Sequence, residues 1–326
     1  MNRRQDMRGP LPAGAVAAAN AISVVIITHD RHEDLRRALA SVITQTILPG
    51  ELIVVDDGST PPVSLDGLQL PRALSLRLIR NALPLGPAQA RNIGIAAAEG
   101  SWIAFLDDDD EFKPDKIEAI ARALRQSGDA ADVLYHPAEI VMVNEGVRYT
   151  SKPRAPGATQ GMYRELLVKN IVGGTPMVIA RKQSLLDHGA FDESLGALED
   201  YELWLRLARN GVRFHLLPGA LTRCNYTTAK PSVTKSVAAG LETFARIEAK
   251  YGDDFNELPS AAKLAHHEWI HEMVLHRAIL KLEHISVMKA SLAMLLRFRR
   301  MRYAAAVIAS LLGPRAIIRL RARVRA

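Results

Sequence analysis

Several common classes are excluded by what this chain lacks. Among 326 residues there is a single cysteine, Cys224, so no internal disulfide framework exists and a reducing compartment suits the protein. No motif surrounds Cys224, which reads as a small buried side chain rather than a nucleophile. No run reaches the roughly 18 apolar residues that span a bilayer. The best, YAAAVIASLLG at 303–313, is too short. The N-terminal MNRRQDMRGPLPAGAVAAANAI has no continuous apolar core of signal-peptide quality, and residues 1–20 read as a disordered leader. Internal repeats and low-complexity blocks are also missing. Acidic residues are absent from Arg297 onward, where nine arginines fall; taking those from the formal net charge of +7 leaves −2 for the rest. The basicity therefore belongs to the tail, and the body is near neutral.

What is present is core-forming material, 48% hydrophobic, arranged as strands alternating with helices from residue 22 to about 218. ISVVIIT (22–28) and ELIVVDDGS (51–59) are β-branched runs suited to parallel strands buried on both faces. LSLRLI (74–79) is a third strand and SWIAFL (101–106) a further one. Between them, Leu35, Leu39, Val42 and Ile43 make one helical stripe, with Asp30 and Glu33 spaced as a capping box and the helix starting near Arg31. GPAQARNIGIAAAEG (86–100) reads as a helix closed by its glycine, and Pro114 opens the next one. Residues 131–160 are mixed strand and loop. MYRELLVKN (162–170) is a short helix, PMVIAR (176–181) a strand and EDYELWLRLARNG (199–211) an amphipathic helix. Beyond about residue 230 the pattern is helical. Such alternation predicts right-handed crossovers and a mainly parallel sheet, whose ligands bind at the carboxyl ends of the strands.

Thr28 and two acidic sites sit at such ends, and a third acidic site opens a helix. In WIAFLDDDDEF, five apolar residues deliver Asp107, Asp108, Asp109 and Asp110. A hard divalent cation takes one or two carboxylates and completes its shell with water and phosphate oxygens. Asp107 and Asp109 could then serve ribose and metal, against the alternative of a solvated acidic turn. Asp56–Asp57 ends another strand, where a carboxylate can accept from a base or ribose or simply shape a turn. Glu199 and Asp200 open a helix, either as dipole-favoured capping residues or as a general base.

Together SVVIITHDR, ELIVVDDGS, GPAQARNIGIAAAEGSWIAFLDDDDEFKPDKI and GAFDESLGALEDYELWLRL resemble the family 2 glycosyltransferases of the GT-A fold, over residues 22 to about 217. The resemblance implies an α/β fold with a GT-A domain at 21–228, its nucleotide-binding half at 21–112 and its acceptor half at 113–228. A helical region with a basic tail follows at 229–326. It places Thr28, Asp30 and Arg31 at the strand edge lying against the nucleotide. Asp57 reads the base, and Arg91 and Asn92 lie near base and diphosphate. Asp107, with Asp108 beside it, binds the ribose, and Asp109 binds the metal, Mg or Mn. Asp200 is the catalytic base. Gly173, Gly174, Thr175, Glu199 and Trp204 shape the acceptor side. The implied chemistry is inverting transfer of one sugar from a nucleotide-diphosphate sugar, uridine being the commonest base, to a hydroxyl of a saccharide or lipid-linked acceptor. A bacterial surface-polysaccharide or glycolipid pathway is the expected setting.

Two departures stand out: Asp30 replaces the usual asparagine of the first edge, and the acidic run leaves the metal register open between Asp107/Asp109 and Asp108/Asp110. The Q-x-x-R-W motif of processive synthases is absent, which favours single-sugar transfer. A metal-dependent nucleotidyltransferase and a non-catalytic nucleotide-sugar binding module are the rival readings.

Two other patterns have plainer readings. HEWIH (267–271) satisfies H-E-x-x-H, but with no third ligand it reads as a structural helix. His29, His32, Glu33 and Asp34 reflect helix-start polarity. The tail, RFRRMRYAAAVIASLLGPRAIIRLRARVRA, interleaves arginines with aliphatic residues. That favours an anionic membrane surface over a partner-binding helix or nucleic acid, and hence a cytoplasmic protein peripheral to the inner face of the cell membrane.

Overall fold

The computed structural model describes residues 13–157, 161–228 and 236–325. Its first half runs α1 (Ala13–Asn20), β1 (Ile22–Thr28), α2 (His32–Ile43), β2 (Glu51–Asp56), β3 (Ser75–Arg80), α3 (Pro87–Ala97), β4 (Trp102–Asp107), β5 (Glu111–Phe112) and α4 (Lys116–Ser127). Then come β6 (Val133–Tyr135), β7 (Ala138–Met142), β8 (Val147–Thr150), α5 (Gly161–Val168), β9 (Val178–Arg181), α6 (Lys182–Asp187), α7 (Glu199–Arg209), β10 (Phe214–Leu216) and β11 (Thr222–Tyr226). The remainder is helical: α8 (Val237–Lys250), α9 (Gly252–Asn256), α10 (Ser260–Leu280), α11 (His284–Phe298), α12 (Met301–Leu311) and α13 (Pro314–Arg325).

The main sheet has the order β10-β6-β9-β4-β1-β2-β3, parallel from β4 through β3, with β9 antiparallel to both of its neighbours. Side chains alternate across it as a pleated strand requires. Val24 and Ile26 face a cluster under α1, α2 and α4, whereas Val25, Ile53 and Phe105 face one under α3, α5 and α7. The chain leaves β1 for β2 on one side and returns as β4 on the other, so a crevice opens at the carboxyl ends of β1 and β4. Register pairs Thr28 with Asp56 and Ile27 with Asp107, which brings the end of β1 and the two acid-tipped ends of β2 and β4 to one edge. A smaller sheet, β5-β11-β7-β8, stands beside that edge.

Three local expectations are corrected. Residues 13–20 of the expected leader form α1, with Ala15 and Ala19 buried in the core; residues 1–12 lie outside the described residues. Alanine has the highest helix propensity, and small side chains let the segment lie close to its neighbours. The capping box at α2 is not made: Asp30 adopts φ 55° and accepts from Thr60 N at 2.7 Å instead. Gly100 does not close α3, which stops at Ala97; a Cβ there would lie 2.5 Å from Ser23 Oγ, so glycine permits a close backbone approach to β1.

Candidate functional site

The crevice edge is held by a network between β1 and the turn after β4. Thr28 Oγ1 donates to Asp108 Oδ2 at 2.8 Å, and Arg31 Nη1 donates to Asp108 Oδ1 at 3.1 Å and to Asp109 Oδ2 at 2.9 Å. The four aspartates divide by orientation. The side chains of Asp107 and Asp109 are 31% and 32% exposed, whereas that of Asp108 is 7% exposed. Asp110 is buried and accepts from Asn225 N of β11 at 2.8 Å. The pair two apart that faces solvent is therefore Asp107 and Asp109.

Two expected nucleotide contacts have other partners. Asp57 accepts from Asn81 Nδ2 at 2.8 Å and from the backbone of Leu85 and Gly86 at 2.9 and 2.8 Å, which fastens the loop before α3. That leaves one lone pair on Oδ2 for a ligand. Asn92 does not face the crevice. Its amide donates to Phe191 O and Glu193 Oε1 and accepts from Phe191 N, each at 2.9 Å, tying α3 to the loop before α7.

Arg91, one residue earlier on α3, points the other way. It is buried, with Nη2 2.7 Å from Asp107 Oδ1 and Nη1 2.7 Å from Glu199 Oε1, and its guanidinium lies over the Phe191 ring. Burial opposes its charge, yet Asp107 and Glu199 outweigh that and raise its pKa. A single guanidinium thus joins the β4 edge to the start of α7. Beside Glu199, Asp200 accepts, among the described residues, from its own neighbour Tyr201 N alone, at 2.7 Å through Oδ1. Its Oδ2 is 3.8 Å from where a Cβ at Gly174 would stand, so the glycine loop and this carboxylate share one wall. Burial, then the charge of Glu199, push the Asp200 carboxyl up to about 7.

The other acceptor-side candidates are supports. Trp204 is fully buried and donates from Nε1 to Gly173 O at 3.0 Å, so it braces the loop from beneath and cannot touch an acceptor. Gly173 has φ 113°, and a Cβ there would overlap Met177 Cε, so the turn requires glycine. Thr175 is buried in the turn that follows. Arg277 of α10 is a residue that sequence reasoning missed. Buried, with its pKa lowered by that burial, it feels Asp200 and Glu199 as opposing charges. Nothing local in its helix marks it; only the return of α10 towards α7 does.

The residues fit a hard cation. Burial, then Asp107 and Asp108, push the Asp109 carboxyl up to about 7, because Arg31 alone does not balance that charge. No group of three or more His, Cys, Asp or Glu able to hold a metal ion occurs among the described residues. A cation that takes one or two carboxylates and completes its shell from phosphate and water suits that arrangement. The H-E-x-x-H pentad is organised otherwise: Glu268 is buried under Arg300 Nε at 2.9 Å, Arg302 Nη2 at 2.6 Å and Tyr303 Oη at 2.6 Å.

Comparison with known proteins bears on this geometry. Residues 23–192 match the family described as Glycosyl transferase family 2. An uncharacterized glycosyltransferase of Haemophilus influenzae is 32% identical over 214 residues, covering 65% of this chain and 71% of its own. The uncharacterized glycosyltransferase YwdF of Bacillus subtilis is 30% identical over 73% of this chain and 86% of its own. The succinoglycan biosynthesis protein ExoO of Rhizobium meliloti is 27% identical over 61% of this chain and 59% of its own. Among solved structures, S. aureus TarS 1-349 in complex with UDP-GlcNAc superposes with a TM-score of 0.55 at 21% identity, covering 93% of this chain and 87% of that one. That likeness is one of fold, and it makes the α/β architecture GT-A.

Proposed function

The chain belongs to glycosyl transferase family 2 and is a transferase, and from that premise we propose that it moves one sugar, with inversion, from a uridine-diphosphate sugar to a hydroxyl acceptor. The observation that carries this reading is the Arg91 bridge, 2.7 Å to Asp107 and 2.7 Å to Glu199, which links the end of β4 to the start of α7 beside Asp200. The UDP-GlcNAc bound to the structurally similar TarS supports the donor class, and the kinship with ExoO supports an acceptor that is a saccharide or its lipid-linked form. Synthesis of a bacterial surface polysaccharide or glycolipid is the corresponding setting.

In this reading Arg31 and the open lone pair of Asp57 line the nucleotide, Thr28 holds Asp108 beneath it, and Asp107 accepts from the ribose. Asp109, with Asp107, would hold Mg or Mn, which when bound neutralises charge on the diphosphate. Asp200 takes the acceptor hydroxyl proton. The oxygen lone pair forms the new bond to the anomeric carbon from the face opposite the diphosphate, and the nucleoside diphosphate departs with the electrons of the broken C–O bond. Arg91 holds Asp107 and Glu199 in place and presents positive charge to the leaving group. A pKa of about 7 leaves the base about half ionised at neutral pH while it still attracts a proton strongly.

The test is a thermal-shift panel of nucleotide sugars with and without Mn²⁺, followed by product analysis. Stabilisation by a uridine-diphosphate sugar that requires metal, and release of free UDP on adding acceptor, are the expected results. Release of pyrophosphate, or normal turnover by Asp200→Asn, would overturn the reading.

A further inference from the structure

From His284 to the C-terminus the sequence carries ten cations and no Asp or Glu. Its aliphatic residues do not all face one way. Ile317 and Ile318 of α13, part of the tail's interleaved pattern, are buried in a cluster with Leu275 and Ile279 of α10. Val287 and Met294 of α11, and Tyr303 and Ala309 of α12, enter the same cluster, so both helices have their inner faces filled. Their outer faces point away from it.

Those outer faces are apolar, the reverse of an ordinary surface helix. On α11, Ile285, Met288, Leu292 and Leu296 recur at spacings of three and four, with Leu296 68% exposed. On α12, Ile308 and Leu311 are three apart and Met301 stands seven before Ile308 on the same face, with Leu312 just past the helix end; Met301 is 82% and Leu312 81% exposed. Lys289 and Arg297 border the α11 stripe, and the exposed Arg299, Arg315 and Arg319 stand in the same segment.

We propose that the outer face of α11 and α12 is a membrane-docking surface for anionic lipid: the aliphatic stripes enter the acyl boundary and the basic rim pairs with headgroup phosphates. Soluble monomers rarely expose contiguous apolar area of this kind without a partner. Charge selects which partner. A second copy of this chain on the same face would bring two acid-free, arginine-rich segments together, whereas an anionic bilayer neutralises them. No helix of the described residues is long and apolar enough to cross a membrane, so the contact is peripheral. Docking here is independent of the donor chosen at the crevice.

Co-sedimentation of the full chain with vesicles decides it, using phosphatidylcholine alone and equal parts phosphatidylcholine and phosphatidylglycerol. Pelleting is expected with the anionic vesicles, with weak pelleting on phosphatidylcholine and loss in high salt. The triple variant Leu292→Ser/Leu296→Ser/Ile308→Ser should bind at least tenfold more weakly at an unchanged melting temperature. Leu312→Glu provides a second, independent loss at the end of α12, and Lys289→Gln/Arg297→Gln should shift the salt dependence. Undiminished vesicle binding by the triple variant and Leu312→Glu would overturn the proposal. So would a solution dimer that the triple variant splits.

Discussion

The Asp200 carboxyl is pushed up to about 7 by burial and by Glu199, so at about pH 6 roughly nine-tenths of it is protonated and unable to take a proton. If it is the base, kcat/KM rises with unit slope up to about pH 7 and then levels. Asp200→Asn should lower kcat by about 10²–10⁴-fold with little change in donor KM. The same variant carries a stability signature of opposite sign. A buried acid whose folded pKa is raised loses stability as pH climbs from its unfolded value towards the folded one. Asp200→Asn should therefore melt a few degrees higher than the parent at about pH 8, with the gap closing by about pH 4. Glu199→Gln removes the neighbouring negative charge and frees Arg91 to act on Asp200, so the acid limb of the rate profile should move to lower pH. A limb that stays in place would show that another group titrates there.

At the scale of elements, the placement of Arg91 between Asp107 and Glu199 depends on how closely α3 lies on β1. A Cβ at Gly94, one turn beyond Arg91, would overlap Val25 Cγ1 of β1. Gly94→Ala must push the helix off the sheet, at a cost of about 1–3 kcal/mol. Because the shift carries Arg91 with it, kcat should fall together with the melting temperature; a fall in stability alone would mean that the bridge tolerates the displacement. The strands and α7 were readable because buried β-branched runs, turn residues and an amphipathic stripe are local signals. The roles of Asn92 and Trp204 were not. Each looks solvent-facing or ligand-facing in its own segment, and each is captured by a loop far along the chain, Phe191 for Asn92 and Gly173 for Trp204. α1 escaped notice for a related reason, since an alanine-rich segment has no periodicity and only its packing shows it to be core.

For the whole molecule, the parallel-sheet core with acid-tipped strand ends was legible in the residues, and the GT-A assignment followed from their order. Which of the four aspartates face solvent was not, because Asp110 is turned inward by Asn225, 115 residues away, and that contact leaves no trace in the run itself. The join between the sheet domain and the C-terminal helices was equally hidden. It includes Met142 of β7 packed in the cluster of α10 to α13, and within that layer Glu268 of α10 is gripped by Tyr303, Arg302 and Arg300. Although burial alone would raise it, those partners hold the Glu268 carboxyl below the usual range. Its contribution is therefore present above the unfolded value of about 4.3 and is lost as pH falls through the folded one. The arginines are half exposed, which screens the ion pairs, so Glu268→Gln should cost about 1–3 kcal/mol at neutral pH. Urea melts at about pH 7 should show that gap, and melts at about pH 3.5 should show it narrowed. Hydrogen exchange at neutral pH should place the loosening in α12 rather than in the main sheet, because Arg300, Arg302 and Tyr303, which grip Glu268, stand at the start of α12. Uniform loosening of sheet and helices would mean that the two layers unfold as one unit, and the outer face of α11 and α12 would then be as rigid as the crevice.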